Sequence, residues 1–147
     1  MKFFDTDDLF DSEIYLSLIE TCEAIPERKW VACYKFNICK PNNEIVGYCN
    51  LKIDNSELTK YCGNIGYGVD EKHRGKKYSA RASKLLLKLA KKHDLKYVFI
   101  TCAPNNIASN KICQSLNAEF VETVDVPQAH EMSQEYDRLN IYKIELK

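Results

Sequence analysis

"IGYGVDEKHRGKKYSARASKLLLKLAKKHDLKYVFITC", residues 65–102, contains the pattern on which the architecture of this chain depends. A short strand-like run leads through a basic loop into residues 75–93, where apolar side chains recur at helical spacing opposite a row of lysines and arginines. That periodicity predicts an amphipathic helix. The closing run at 95–102 is almost entirely apolar, as is typical of a strand covered on both faces. A strand, a helix and a strand in this order predict a right-handed βαβ unit with parallel strands.

The preceding part of the chain predicts an antiparallel hairpin. Residues 30–53 alternate apolar and polar side chains on either side of the turn sequence "PNNE" at 41–44. Alternation of this kind around a turn is the pattern of two paired strands. Residues 11–22 fit a helix loosely, and Pro26 then closes that predicted helix.

The following part of the chain predicts a short helix at 106–116 and two closing strands at 118–126 and 138–146. There are no internal repeats and no linker long enough to divide the chain. The predicted fold class is therefore mixed α/β, as a single domain over residues 1–147. We expect a largely antiparallel sheet that contains a parallel βαβ core and is flanked by helices.

Composition excludes several classes of function. The 147 residues are 45% hydrophobic and 29% charged, which is typical of one soluble globular domain. A formal net charge of zero argues against a general nucleic-acid-binding protein. No apolar run approaches the roughly 18 residues of a membrane span, and the acidic N-terminus does not resemble a signal peptide. We therefore expect a cytoplasmic protein without nucleic-acid or membrane partners.

The cysteines predict reduced thiols and no metal. Their number is odd, no C-x-x-C spacing occurs, and several lie within apolar runs. These features favour free thiols in a reducing compartment over a disulfide framework or a zinc site. The seven positions are Cys22, Cys33, Cys39, Cys49, Cys62, Cys102 and Cys113.

Positive charge is concentrated around the predicted central helix, where residues 71–96 contain ten Lys or Arg and two acids. Along the helix these residues alternate with leucines and indicate a solvated face. The loop "RGKKYS" at 74–79 differs, because it directly precedes the helix N-terminus. Unpaired N–H groups and the helix dipole favour an anion there. The sequence therefore predicts a site for a phosphate-bearing ligand rather than for extended nucleic acid.

These features together resemble the GCN5-related N-acetyltransferase (GNAT) superfamily. Its acetyl-CoA loop reads approximately R/Q-x-x-G-x-G/A, and the matching positions are Arg74, Gly75, Lys76, Lys77, Tyr78 and Ser79. Lys77 stands where glycine is usual, and Ser79 stands where glycine or alanine is usual. Asn106 and Ser109 match the family's N-x-x-A/S segment on the helix beside the pantetheine.

The resemblance implies acetyl-CoA as co-substrate, with its pantetheine arm in a gap between two diverging strands. Tyr67, Gly68 and Val69 would line that gap through their backbone groups, as an added strand would. A backbone N–H near Gly68 or Val69 would polarise the thioester carbonyl. Two alternatives remain open: "GYG" is a simple bulge, and Asn106 is only a helix cap.

Cys113 is the candidate catalytic residue. Many family members carry a tyrosine seven residues after the asparagine that matches Asn106, and it acts as general acid toward the departing CoA thiolate. A thiol can in principle protonate a thiolate, whereas a buried cysteine can also be inert packing. The family's usual Gly-Phe after this helix is replaced by Asn117 and Ala118.

The resemblance therefore implies an acetyl-CoA-dependent N-acetyltransferase, similar to a bacterial set of small, largely uncharacterised acetyltransferases. It would transfer the acetyl group to a primary amine of a small molecule or peptide by direct attack, without a covalent intermediate. The alternative is a non-catalytic acyl-CoA-binding sensor or partner module of the same fold. A nucleic-acid-binding domain is a weaker third reading, and a homodimer is compatible with the family.

Acidic residues suggest the charge of the acceptor. Residues 1–24 contain seven acids, and residues 119–137 contain six. In the family's arrangement, N-terminal helices and the final strand connection flank the acceptor. A cleft that is negative on that side would attract a cationic amine. The alternative is that these acids only balance the basic helix.

Overall fold

The computed structural model describes residues 2–56, 59–126 and 137–146. Within these residues, seven strands and two α-helices follow one another, and short 3-10 turns at Pro26–Arg28 and Glu71–His73 precede β2 and α1. The elements are β1 (Tyr15–Cys22), β2 (Ala32–Cys39), β3 (Ile45–Ile53), β4 (Ile65–Val69), α1 (Tyr78–Lys92), β5 (Tyr97–Cys102), α2 (Ile107–Ser115), β6 (Glu119–Asp125) and β7 (Arg138–Glu145). The mixed α/β class predicted from the sequence is confirmed.

The strands form two antiparallel sheets, with the orders β1-β2-β3-β4 and β5-β7-β6. β4 and β5 are the facing members of the two sheets, and they meet at Asn64. The Asn64 N–H donates to the Phe99 carbonyl at 2.7 Å, and the Asn64 side chain accepts from the Phe99 N–H at 2.8 Å. Beyond that point β4 pairs with β3 alone, so the predicted parallel pair is reduced to one junction and a gap follows it.

The core lies between α1 and the sheets. α1 buries one apolar face, as its periodicity predicted, and packs against β3 and β4. The buried cluster includes residues of both sheets, among them Leu51, Leu86 and Ile100. Among the described residues, no helix is both long enough and apolar enough to cross a bilayer.

The predicted N-terminal helix at 11–22 is wrong, because residues 15–22 form strand β1. Asp11 accepts the N–H groups of Glu13 and Ile14 at 2.7 and 2.9 Å, which turns the chain just before the strand. β1 then pairs antiparallel with β2, from Tyr15 opposite Cys39 to Cys22 opposite Cys33. Pairing with a neighbouring strand outweighs the loose helical pattern.

The chain that precedes β1 lies along α1. Asp8 contacts the ammonium groups of Lys92 and Lys88 at 2.6 and 3.4 Å, and Asp11 contacts Arg81 at 3.0 Å. These acids therefore balance the basic helix, which was the alternative left open by the sequence. β1 is also the edge strand at the opposite end of the first sheet from β4.

The first sheet has one open face. Residues of β2 and β3 alternate between buried and accessible, and α1 covers the buried side. Within the described ranges no helix covers the other side. Its accessible side chains on these two strands are Cys33, Lys35, Asn37, Tyr48, Asn50 and Lys52.

Candidate active site

The loop before α1 presents free backbone donors. Gly75 and Lys77 both have positive φ angles, 84° and 65°, so the helix begins at Tyr78 rather than at Gly75 as predicted. No side chain caps this helix end, and the first intrahelical acceptor is the Lys77 carbonyl, which bonds the Arg81 N–H at 3.0 Å. The first-turn N–H groups are thus available to an anion.

A basic groove extends from this loop between α1 and α2. The cavity has a volume of about 450 Å³ and is lined by Asp11, Lys77, Ala80, Arg81, Lys84, Lys111, Ile112 and Ser115. Asp11 neutralises Arg81. No ion pair in the described part of the chain engages Lys77, Lys84 or Lys111. Three free ammonium groups beside a helix N-terminus can bind a ligand with several phosphates.

Arg74 has a structural contact within the same loop. Its Nε donates to the Val69 carbonyl at 3.3 Å, which ties the loop to the end of β4. The side chains of Lys76 and Lys77 are exposed. The loop that the sequence predicted for phosphate binding is therefore joined directly to the strand predicted to bind the pantetheine.

Among the described residues, β4 has one edge that pairs with no strand, and two of its five residues are glycines. Its register with β3 is continuous from Ile65 to Val69, so reading "GYG" as a bulge is wrong. A Cβ on Gly66 would lie 2.8 Å from the Asn50 side chain, and one on Gly68 would lie 2.8 Å from the Tyr48 ring. Tyr48 and Asn50 therefore lie over the glycine backbone on the open face.

Four side chains meet at the gap between β4 and β5, and we call Tyr67, Cys102, Ser109 and Cys113 the gap cluster. The Tyr67 hydroxyl and Ser109 Oγ are 2.7 Å apart. The thiols of Cys102 and Cys113 lie close enough to the Tyr67 hydroxyl to raise its pKa slightly, beside the larger effect of burial. The cluster thus brings together side chains of β4, β5 and α2, with one hydrogen bond between β4 and α2.

The two thiols of the gap cluster differ in their titration. The pKa of Cys102 is lowered to about 7, because its sulfur accepts hydrogen bonds from Cys113 and Ser109 that outweigh the effect of burial. The hydrogen bond to Cys102, together with burial, raises the pKa of Cys113 far above its usual value. Burial also raises the pKa of Tyr67. At neutral pH, Cys113 and Tyr67 hold protons and Cys102 is the thiol that ionises.

Asn106 acts as the N-cap of α2. Its side-chain oxygen accepts the Ser109 N–H at 3.1 Å, as the helix-cap alternative required. The cap fixes the start of α2 and so positions Ser109 beside Tyr67. Contact between Asn106 and a cofactor stays a prediction.

The structure brings the predicted residues together in two connected groups. The loop 74–79 and the backbone of Tyr67, Gly68 and Val69 follow one another, and Ser109 and Cys113 face the gap from α2. Sequence reasoning missed Cys102, the hydroxyl of Tyr67, and the two side chains over the glycines. Only the position of Cys102 at the end of an apolar strand marks it in the sequence.

Neither disulfides nor metal clusters contribute to this region. No disulfide joins any of the seven cysteines. In residues 2–56, 59–126 and 137–146, no group of three or more His, Cys, Asp or Glu side chains could hold a metal ion.

Solved structures with a similar fold are acetyltransferases. The enzyme from Salmonella typhimurium that modifies the N-terminal serine of ribosomal protein L7/L12 superimposes with a TM-score of 0.61 at 23% identity, over 78% of this chain and 64% of that chain. The ribosomal-protein-S5-alanine acetyltransferase from Vibrio fischeri gives 0.64 at 16% identity, over 78% and 62%. The microcin C7 self-immunity acetyltransferase MccE, solved with acetyl-CoA and AMP, gives 0.60 at 22% identity, over 82% and 63%.

This chain thus spans less than two thirds of each of these three chains, and at such identities the likeness shows the fold alone. Among curated protein sequences, none matches the chain. The family model described as an acetyltransferase (GNAT) domain matches residues 5–119, which is well over half of the sequence. The chain therefore belongs to the GNAT acetyltransferase family.

Proposed function

We propose that this protein transfers an acetyl group from acetyl-CoA to a primary amine by direct attack. The observation that supports this most is the continuity of three features: free N–H groups at the start of α1, an unpaired edge on β4, and proton-bearing side chains at the gap. The pyrophosphate would occupy the helix N-terminus, and the pantetheine amides would pair with β4. The nucleotide end would enter the basic groove. Asn106 and Ser109 would lie beside the pantetheine.

The acceptor amine would approach from the open face of the first sheet. α1 packs on the other face of β3 and β4, so the side on which Gly66 and Gly68 lie is the one that the described helices leave for the acceptor. Backbone N–H groups on the unpaired edge of β4 would polarise the thioester carbonyl. Tyr48 and Asn50 are the nearest side chains on that face and would position the amine.

The CoA thiolate must receive a proton when the thioester bond breaks. We assign Cys113 the role of general acid through Cys102: the Cys102 thiol, whose pKa of about 7 suits proton transfer, would give its proton to the CoA thiolate and take one from Cys113. Tyr67 is the competing donor, because its hydroxyl is also protonated and belongs to the same cluster. The ammonium of the acceptor would lose its proton to water, since the gap cluster contains no carboxylate or imidazole.

The acceptor would be a primary amine of a peptide or small molecule, in a cytoplasmic setting. Two of the structural neighbours act on ribosomal proteins, and an open sheet face offers room for a peptide terminus. Fewer acidic residues now support the predicted preference for a cationic amine. Asp8 and Asp11 pair with α1, and Glu131 and Glu135 lie outside the described residues.

The second candidate is an acyl-CoA-binding module without turnover. The observation that favours it is the chemistry of the gap cluster, which holds two thiols and two hydroxyls but no carboxylate or imidazole to take the proton of the acceptor ammonium. Such a module would bind acetyl-CoA at the same place and leave the thioester intact.

One experiment tests the donor site and separates the two candidates. Acetyl-CoA affinity is measured by calorimetry, and release of free CoA is followed with a thiol reagent across a panel of amines. Ser79→Asp places a carboxylate in the first turn of α1, which favours the helix but repels the pyrophosphate. We expect this variant to fold normally and to lose acetyl-CoA binding at least tenfold. Unchanged affinity would overturn the site, and binding without turnover would favour the module.

A further inference from the structure

Lys52 places a positive charge on the open face of the first sheet, close to the backbone of β4. Its ammonium donates to the side-chain oxygen of Asn50 at 3.3 Å. A Cβ on Gly66 would lie 2.8 Å from the nitrogen of the same amide. Lys52 also donates its backbone N–H to the Asn64 carbonyl at 2.7 Å, at the point where β4 and β5 meet. Lys52, Asn50 and Gly66 therefore form one continuous row beside the gap.

In the part of the chain that the structure describes, no acid neutralises Lys52. Asp54, two residues further along, turns its carboxylate to Ser56 and accepts the N–H and the hydroxyl of that residue at 3.0 and 2.6 Å. Glu20, which lies opposite Lys35 on the neighbouring strand, is paired with that lysine at 3.1 Å. The charge of Lys52 is thus available to an anion on the open face.

We propose that Lys52 determines acceptor specificity by binding a carboxylate that the acceptor carries, an inference that rests on the proposed function. An ammonium has three donors and Asn50 takes one, so two remain for the carboxylate oxygens. This charge is opposite to the cationic one that the acidic residues of the sequence suggested.

The spacing along β3 limits the shape of the acceptor. Lys52 and Asn50 are two residues apart on one face of a strand, which corresponds to about 7 Å. An amine directed by Asn50 toward the gap would therefore carry its carboxylate at about that distance. An acidic side chain at the second position of an extended peptide meets this requirement, and so does a small ω-amino acid. A cationic group at the same position would be repelled.

The test measures turnover of acetyl-CoA with two sets of acceptors. Tripeptide amides that begin with glycine carry glutamate, glutamine or lysine at the second position. γ-Aminobutyrate and its amide form a second pair, in which the carboxylate belongs to a small molecule. We expect kcat/KM to be about fivefold higher for the acidic member of at least one set, through a lower KM. The lysine peptide should be the poorest peptide acceptor, and the set with the larger ratio identifies the source of the carboxylate.

Variants of the two lysines on the open face test the assignment. Lys52→Gln keeps a hydrogen-bond donor without the charge, so the ratio of kcat/KM between acidic and neutral acceptors should fall to about one. Lys52→Glu should invert the preference and favour the lysine peptide. Lys35→Gln is the matched control, because it removes the same charge from a lysine that Glu20 already pairs, and its ratio should match that of the wild-type protein.

Two results would overturn the inference while acetyl transfer itself stands. One is equal kcat/KM for the acidic and neutral members of both sets, and the other is an acidic preference that survives Lys52→Gln. Calorimetry with acetyl-CoA is run on the same protein to identify a failure of the proposed function. If the donor binds and no amine of either set is acetylated, or if the donor does not bind, the proposed function and the inference fail together.

Discussion

Lys77 explains how the chain departs from its family's loop without losing the loop's shape. The position has φ of 65°, a left-handed conformation that glycine adopts freely and that costs other residues about 1–2 kcal/mol. Asn117, the second departure, likewise has a positive φ of 58° just after α2. Asparagine is the residue that tolerates this conformation best after glycine. In both places the backbone conformation is kept while the residue type changes.

Replacing Lys77 with glycine should stabilise the protein. Lys77→Gly removes the left-handed strain, and after the entropy of glycine in the unfolded chain is subtracted we expect a gain of about 0.5–1 kcal/mol. Urea denaturation at constant m-value measures it. Lys76→Gly is the matched control, because Lys76 is not among the residues with positive φ and its replacement should give no gain. If both variants changed the free energy of unfolding equally, the left-handed conformation of Lys77 would not be a source of strain.

The sequence predicts the role of a residue only where that residue belongs to a recognisable motif. The loop at 74–79 and the Asn106–Ser109 pair follow from the resemblance, because each has fixed spacing. Cys102 could not be found this way, since its titration depends on Cys113 and Ser109, which become its neighbours only after α2 packs on β5. Roles that arise from tertiary contacts leave no local pattern.

Among the elements, β3 and β4 show how close approach of two backbones limits side chains. A Cβ on Gly47 would overlap the Gly68 carbonyl, which is backbone and cannot move aside. A Cβ on Gly68 would meet only the Tyr48 ring, which is half exposed and can rotate. The same substitution should therefore have unequal effects on the two sides of one strand pair.

We expect Gly47→Ala to lower the free energy of unfolding by about 2–3 kcal/mol and Gly68→Ala by less than about 1 kcal/mol. Thermal and urea unfolding compare the two variants directly. Because Gly68 faces the proposed acceptor side, its variant should also lower kcat while acetyl-CoA affinity stays near the wild-type value. The register of β3 and β4 would be refuted by a larger loss of stability in Gly68→Ala.

The end of α1 should make stability sensitive to mild acid. The Tyr34 hydroxyl accepts the Phe4 N–H at 2.8 Å and is hydrogen-bonded to Nε2 of His93 at 2.7 Å. Burial of the imidazole disfavours its charged form and lowers the pKa of His93 despite nearby Asp94. The unfolded chain therefore binds a proton at higher pH than the folded one.

The contribution of neutral His93 to stability is therefore complete above about pH 6.5 and is lost as pH falls below that value. Melting temperature measured from pH 8 to 5 should decline over this window. His93→Gln, which can still hydrogen-bond to Tyr34, should flatten the decline. Asp8 and Asp11 have lowered pKa values and act only in stronger acid, so they do not contribute to it. An unchanged slope in the variant would exclude His93 as the cause.

The predicted elements succeeded where the apolar period was strong and failed at β1. α1 and the β2–β3 hairpin were found within a few residues, because each buries one regular face. Residues 11–22 have a weak pattern, and their strand character comes from pairing with β2. That pairing spans a connection with its own turn at Pro26–Arg28, which local periodicity does not encode.

For the whole molecule, zero net charge hides a separation of charge that the sequence indicated only in part. Asp8 and Asp11 pair with lysines and Arg81 of α1, whereas no ion pair between described residues engages Lys77, Lys84 or Lys111 in the groove. The sequence also did not predict the gap or the open face. Both arise where the packing of the two sheets leaves a surface uncovered. Such features depend on the arrangement of elements rather than on any one of them.

The free lysines of the groove should control affinity for the nucleotide end of acetyl-CoA. Lys111→Glu reverses a charge beside the proposed phosphates, and we expect acetyl-CoA affinity to fall about tenfold, or about 1.4 kcal/mol, at low salt. Exposed charges are screened within about 8 Å at physiological ionic strength, so the loss should shrink as salt is raised. Lys91→Glu makes the same change in net charge on an exposed position of α1 outside the groove, and it should leave affinity unaltered. Calorimetry at two salt concentrations distinguishes the two variants. An equal loss in both would mean that overall charge, rather than the groove, attracts the donor.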